Sequence, residues 1–558
     1  MLKNLLKFSL ILTLCLPNLV VAQVKQKISL LLYNGKVFTA NKKFAISEAV
    51  AVDGERIVGV GTSQELKAKY QAAKEIDLKG KLVTPGFNDA HVHFFRGALS
   101  LLNISLNDAK TLKEAKAKVA AKVKEVKAGE WISGRGWDHT VWGNKFPTKA
   151  DLDAVAPNNP VYLIRVDGHV AWVNSKALQL AGVDKNTKSP EGGEIERDAA
   201  GEATGILKET AQGLVGRLIA EPSQAQRVKG LELALDMARK YGITSVQDNS
   251  GYETTKLYRE FLRADKLTVR VSEWQNFEDT VDELKRQRAE FASFGDNPSR
   301  LKLTALKGYV DGTLGSKTAA MLAPFSDDAG NSGIPRRLPE ELKRMIVERD
   351  KEGFQIALHA IGDKANRMAL DGFSATQYSR LEIIIMPSRP PNKGEVIKPT
   401  PLPTPLPNPS PNPVSIIPES RRHRIEHAQV VNPNDFKRFA ELGIIASMQP
   451  THAISDKRWA ESRLGEYRIL GAYAWHLMKS YDVHVPFGTD FPVESINPYQ
   501  TLYAAVSRQD TAGDPIGGWQ PQEKLTIEEA IRCHTFESAY AEFSENEKGE
   551  IKAGMLAD

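Results

Sequence analysis

Cysteine is almost missing from this chain: among 558 residues only Cys15 and Cys533 carry a thiol. Cys15 falls inside an N-terminal leader, so the mature chain keeps one thiol and no internal disulfide can form. Stability then has to come from core packing, with bound metal as the other available source. An excess of charge of one sign is also lacking. The 74 Lys and Arg residues nearly balance 69 Asp and Glu, leaving +5 spread along the chain. With no basic arm, zinc-finger spacing or aromatic–basic interleaving, nucleic acid is excluded as a partner. Neither a Rossmann nor a P-loop fingerprint occurs, and no acyl-transfer serine constellation stands out. Beyond the N-terminus no segment is long and apolar enough to cross a bilayer, so no stable membrane insertion is expected.

What is present begins with that leader. Lys3 and Lys7 precede an apolar run, Phe8–Val21, broken by Pro17 and closed by Ala22. This reads as a signal peptide, residues 1–22, and places the protein in a bacterial periplasm or outside the cell. The remaining length, with 41% hydrophobic residues, suits one large domain with additions.

Residues 23–84 alternate apolar and polar positions between Gly and Asp turns and read as a small β domain leading into Pro85-Gly86. Strand and helix signals then alternate through residues 85–540. Strands are expected at 86–93, 242–248, 267–274, 301–307, 354–360, 423–429, 443–449 and 483–490, with a helix over 226–240. This βα rhythm, with polar residues at the strand ends, predicts an α/β fold built as a (β/α)8 TIM barrel. A doubly wound open sheet is the competing architecture; it would gather ligands at one or two switch points. Two insertions interrupt the rhythm. Residues 125–225 read as a folded cap insertion, and the proline-rich stretch 387–420 as an extended surface loop. The Lys-rich stretch 110–128 has helical apolar spacing and reads as a solvated helix.

Metal-capable residues close several of the strands. His91 and His93 are two apart, so a strand turns both to one side. His359 and His427 end the fifth and sixth strands and Asp490 the last. Imidazoles and a carboxylate converging on one barrel mouth make a divalent metal site, and a metal there most often activates water. Asp490 suits a base that takes a proton from that water and returns it to a leaving nitrogen. Asp363 and Glu426 stand close enough in sequence to support His359 and His427. Lys307 ends the fourth strand; it either pairs with Asp311 or, carbamylated, becomes an anionic bridge between two metals.

These segments together resemble the amidohydrolase superfamily, in its family 3 branch that includes N-substituted formamide deformylases. The matching stretches, in order, are NGKVFT, TPGFNDAHVHF, SGRGWD, LIRVDGHVAWVNSKAL, GITSVQD, KGYVDGTLGSKTA, LHAIGDKA, RIEHAQ, PFGTDFPV and KGEIKAGMLAD. The resemblance implies a small β-sandwich domain built from both chain ends, residues 541–558 returning to it and stopping short of a further strand. It implies two zinc ions: His91 and His93 on the more buried one, His359 and His427 on the second. Lys307 falls at the bridging carboxylysine position, and Asp490 at the catalytic aspartate that also touches the first metal. The implied reaction is hydrolysis of a carbon–nitrogen bond outside peptides, in a small-molecule amide or N-formyl substrate. His427 or the cap residue His169 would assist the oxyanion. Trp131, Trp137, Trp142 and Trp172 either line a pocket for an apolar N-substituent or pack the cap's own core. Arg463 and Arg468 either meet an anionic substrate or lie on a solvated helix. An esterase or phosphoesterase, or a noncatalytic periplasmic binding protein on the same barrel, are the competing functions, and a homodimer is an ordinary assembly for such a chain.

Overall fold

The computed structural model describes residues 24–143, 145–165, 170–190, 193–385 and 421–558. The leader, His169 and the whole proline-rich stretch lie outside them. The chain divides into two units, one formed by Met1–Pro85 with Glu550–Asp558 and the other by Gly86–Gly549.

The first unit holds two small sheets. One runs Arg56–Gly61, Ala49–Asp53, Gln26–Tyr33, Tyr70–Asp77; the other Ile46–Ser47, Lys36–Phe38, Leu82–Val83. Alternation in these strands sends Val37, Val50, Val52 and Ile57 into a core completed by Ile551 and Met555 from the far end of the sequence. Backbone bonds hold that tail in place, Ile551 N–H to Thr39 O and Ile57 N–H to Met555 O.

The second unit is organised by a seven-stranded sheet. Its order is Phe87–Val92, Ile243–Asp248, Arg270–Asn276, Leu301–Tyr309, Gln355–Ala360, Arg424–His427, Ile445–Ser447. Every neighbouring pair is parallel. Residues 483–490 close the ring. They lie extended between the last and first of these strands, bonded to Ala446 and Met448 on one side and to Ala90 and His91 on the other. The result is a near-closed parallel barrel of the (β/α)8 kind, with strand order following chain order. Its interior is packed rather than open: Trp274, Ala305 and Ala357 cluster inside from three adjacent strands. The helix expected over 226–240 spans Gln224–Tyr241. A Ser223–Gln226 capping box starts it, and Gly242 at φ 72° ends it and delivers the chain into the second barrel strand.

The cap is a six-stranded sheet that begins earlier than the sequence suggests, at Ile104–Ser105, and runs through Ile132–Trp137 and Val161–Arg165 to Ala203–Glu209. Between its first two strands lies the helix of the Lys-rich stretch, Leu112–Val123, burying Ala115 and Val119. Trp137 and Trp172 are fully buried in the core of this sheet, and Trp142 packs against them. Trp131 packs on a second cap cluster. The tryptophans therefore fill the cap rather than line a pocket. Arg463 and Arg468 are half-buried and engaged within the protein. Arg463 pairs with Asp327, and Arg468 donates to the carbonyls of Ala323 and Pro324, so both fasten a loop to their helix. Cys533 is buried and free. No helix among the described residues is long and apolar enough to cross a membrane.

Candidate metal centre

The strand ends bring together most of the residues singled out in the sequence. His91 and His93 leave the first barrel strand, Lys307 the fourth, His359 the fifth and His427 the sixth. Asp490 ends the segment that closes the barrel. His427 (φ 73°) and Asp490 (φ 57°) both sit in the left-handed region. Non-glycine residues enter that region at a cost of about 1–2 kcal/mol each, so the surrounding strands must enforce it. Ligand atoms of His91, His427 and Asp490 lie within 4.8 Å of one another. His93 Nε2 is 3.2 Å and His91 Nε2 3.5 Å from the same oxygen, Asp490 Oδ1. Lys307 Nζ is 3.1 Å from His91 Nε2. The His359 ring centroid is 4.6 Å from that of His427. His169 lies outside the described residues.

What each imidazole presents inward follows from what it touches outward. His91 Nδ1 donates to Glu426 Oε2 at 2.5 Å, and His93 Nδ1 to the Asn249 carbonyl at 2.9 Å. His427 Nδ1 donates to Gln449 Oε1 at 2.8 Å, while His359 Nε2 donates to the Gly312 carbonyl at 2.9 Å. Carbonyl and carboxylate oxygens only accept, so each outer nitrogen holds the ring proton and each inner nitrogen presents a lone pair, that of His91 within hydrogen-bond reach of Lys307 Nζ. Burial reinforces this by disfavouring imidazolium. It lowers His91 to about 4 and His359 to about 3, and pushes His427 well below its ordinary value.

Two such lone pairs therefore face Asp490 Oδ1, a buried oxygen with no hydrogen-bond donor of its own. Converging acceptors without a proton between them repel, and a cation resolves the arrangement. Donors held about 2.1 Å from a common zinc ion and standing 3.2–3.5 Å apart subtend roughly 100–110° there. A divalent ion thus fits this donor set in both chemistry and spacing.

The floor beneath is a polar layer inside the barrel. Burial alone would raise the carboxyl of Glu426, but the Arg424 guanidinium, Nε 2.8 Å from Oε1, and His91 together hold it at about 2. Arg424 also binds Gln247, the Ala90 carbonyl and Ser447. Glu426 therefore supports His91, not the neighbouring His427. Asp363 accepts from the Leu322 N–H and supports no ligand. Asp311 does not pair with Lys307. Its carboxylate accepts the N–H groups of Ala320, Ile361 and Gly362, which fixes the loop that carries Gly312. Asp89 ties the first strand to the closing segment by accepting from Thr489. Burial pushes the Lys307 amine down from its ordinary value.

Residues that the sequence reading passed over complete the site. Asn249 and Gln449 fix tautomers, and His452 enters beside Asp490, its Nε2 3.7 Å from Oδ2. All three stand at or just past the C-terminal end of a barrel strand, the same positional signal that exposed the ligands. A cavity of about 730 Å³ at the opposite end of the strands, lined by Lys302, Gln355, Arg422 and Glu542, has none of this convergence. Its Lys302 pairs with Glu542 and its Arg422 with Glu545.

Comparison with known proteins agrees with this geometry. The sequence profile of the amidohydrolase family matches residues 74–383 and 417–558. The chain is 32% identical to Protein LONG AFTER FAR-RED 3 of Arabidopsis thaliana, over 95% of this chain and 86% of that one. It is 27% identical to the N-substituted formamide deformylase of Arthrobacter pascens, over 95% and 92% of the two chains. Among solved structures it superimposes on an uncharacterized metal-dependent hydrolase from Pyrococcus horikoshii OT3. The TM-score is 0.72 at 26% identity, covering 95% of this chain and 96% of the other.

Proposed function

This chain belongs to the amidohydrolase family, metal-dependent hydrolases of carbon–nitrogen bonds outside peptides, and we propose that its substrate is an N-substituted formamide or a simple amide. The deformylase relative motivates the choice. The observation that carries the hydrolytic reading is the set of inward lone pairs around Asp490 Oδ1, each fixed by a hydrogen bond on the far side of its ring.

In this reading His91, His93 and Asp490 would hold one zinc ion and His359 and His427 a second, with Lys307 available to both. Bound zinc supplies an acidified water at neutral pH and a Lewis acid for the substrate carbonyl. Once carbamylated, Lys307 would supply an anionic ligand to the pair. The lone pair of its unprotonated amine would add to the carbon of carbon dioxide; an N–C bond forms as one C=O π bond opens onto oxygen, and the proton lost from nitrogen passes to solvent water, leaving an anionic carbamate. Burial, which disfavours the ammonium form, supports that step. Asp490 takes the proton of the attacking water and delivers it to the departing amine. His427 has its only ring proton committed to Gln449, so it serves as a ligand rather than as an oxyanion donor; His169 stays a candidate for that assistance from the cap. Residues 1–22, read as a signal peptide, support export from the cytoplasm, which N-terminal sequencing of exported protein tests.

Metal content per chain, measured on protein purified without added metal or chelator, tests the centre. Two zinc ions per chain, with metal-dependent release of formate or acid from a panel of formamides and amides, is the expected result. One ion per chain would sink the bridging role of Lys307. No metal-dependent turnover of any amide or formamide would sink the substrate class.

A further inference from the structure

The proposed reaction puts negative charge on the carbonyl oxygen, and a donor aimed at that charge is commonly worth a hundredfold or more in rate. Most polar groups at the mouth cannot give a proton. The four ligand imidazoles present lone pairs inward, and Asp490 only accepts. Gln449 Nε2 is turned to the Ser447 carbonyl and Tyr473 Oη to Asp456. Trp475 also has an unpartnered indole N–H and lines the same crevice, but its ring is fully buried whereas the His452 side chain is 12% exposed.

His452 is different. It sits in the first turn of the helix Pro450–Arg468, which leaves the seventh barrel strand. Its ring lies nearly parallel to that of His427, centroids 5.7 Å apart and planes at 18°. No hydrogen bond to a described residue fixes its tautomer, and its buried Nε2 has no partner. The contact to Asp490 Oδ2, at 3.7 Å, is too long for a hydrogen bond. A buried polar atom left unpaired costs about 1–3 kcal/mol, so such an atom in a native fold asks for an absent partner. The side chain stays 12% exposed, so its edge reaches the mouth. Between His452, His427, Tyr473 and Trp475 the free space is about 10 Å³, room for one oxygen-sized group.

We propose that His452 is a further catalytic residue, donating its Nε2–H to the oxygen of the scissile carbonyl as that oxygen gains charge. This rests on the hydrolytic reading above. The role asks only for an N–H, which imidazole holds in either charge state. Substituents on the substrate nitrogen then extend outward, away from a crevice that admits a single oxygen.

Two variants of zinc-loaded protein test it, His452→Ala and His452→Gln. Glutamine returns an N–H at similar reach. With formanilide and simple alkyl formamides and amides, the alanine variant should lose about a hundredfold or more in kcat with little change in KM. Glutamine should recover at least tenfold of that loss, and zinc per chain should be unchanged in both. A second measurement needs no turnover. Methylphosphonate, a tetrahedral oxyanion, should bind at least tenfold more weakly to the alanine variant by calorimetry and near wild-type strength to the glutamine variant. Alanine within threefold of wild type in both measurements overturns the assignment, as does equal loss in the two variants, which marks a packing role, or loss of zinc, which marks a ligand. If the wild type turns over nothing in the panel, the substrate reading fails while the methylphosphonate comparison still decides His452.

Discussion

Four imidazoles at the barrel mouth are aimed by the atoms behind them, and the residue-scale predictions follow from that. Asp490→Asn keeps an oxygen near the metal but cannot take a proton. It should cut kcat by about a thousandfold or more while zinc content falls much less. Full activity in metal-assayed protein would remove Asp490 from the chemistry. Glu426→Gln tests the other side of the site. It removes the anion that fixes His91 and leaves Arg424 without its buried counter-charge. Zinc affinity should fall roughly 10–100-fold, read by competition with a chromophoric chelator; unchanged affinity would make Glu426 a charge partner of Arg424 alone. Both members of the His91–x–His93 pair were legible because strand spacing puts residues two apart on one side. The partner of His91 was not, since Glu426 comes from the sixth strand and adjacency in sequence pointed to His427 instead. Only three-dimensional closure of the barrel brings Glu426 under His91. His452 was missed for a related reason: MQPTH continues into a helix, and a lone histidine in a helical first turn has no period to mark it.

At the scale of elements, the site depends on how closely strands can approach. Gly488 lies where the closing segment passes the first strand. A Cβ there would stand 2.5 Å from His91 N and 2.9 Å from His91 Cβ. Backbone cannot yield at that spot without moving a ligand, so Gly488→Ala should lower both thermal stability and zinc affinity, each measurably. A wild-type melting curve with wild-type zinc content would show the strand pair to be softer than this. At the opposite end of the strands, Lys302 and Lys548 surround Glu542. Burial alone would raise that carboxyl, but the two ammonium groups outweigh it and hold Glu542 at about 2 against an ordinary 4.5. A depressed folded pKa stabilises above the unfolded value and is lost as pH falls through the folded one. The contribution, about 3 kcal/mol, should therefore fade between about pH 4.5 and 2. Glu542→Gln should flatten that limb of the stability profile while lowering stability at neutral pH. An unchanged acid limb would show that other carboxylates set it.

The barrel strands were legible because each is an apolar run cut by Gly, Asp or Pro, and tertiary pairing confirmed nearly all of them. The segment 483–490 is instructive: it takes the eighth position yet bonds to its neighbours through scattered contacts. Pro486 lacks the N–H a regular ladder needs, and the left-handed Asp490 ends it. The start of the cap was hidden for the opposite reason. Ile104–Ser105 is only two residues long, too short for alternation to register, and it joins the cap sheet only through pairing with Ile132–Trp137.

For the whole molecule, the centre joins distant parts of one chain. His91 belongs to the first barrel strand, Lys307, His359 and His427 to three middle ones, and Asp490 to the segment that closes the ring. A ligand that binds the folded state and not the unfolded chain stabilises by mass action, about 2.7 kcal/mol at a free concentration a hundred times Kd. Here that energy falls on the seam between first strand and closing segment, where the inward lone pairs and Asp490 Oδ1 otherwise oppose one another. With no disulfide across that seam, a divalent metal is the cross-link available to it. Stripping the protein with a chelator should lower the melting temperature of the barrel unit, and stepwise return of zinc should raise it with the logarithm of free metal. Asp490→Asn should shrink that rise, and Glu426→Gln should shift it to higher zinc concentration. Because residues 24–85 and 550–558 form a separate unit, a barrel transition that moves with zinc beside one that does not is the expected calorimetric pattern. A single transition indifferent to metal would mean that the strands hold the mouth in shape unaided, leaving the metal with chemistry alone.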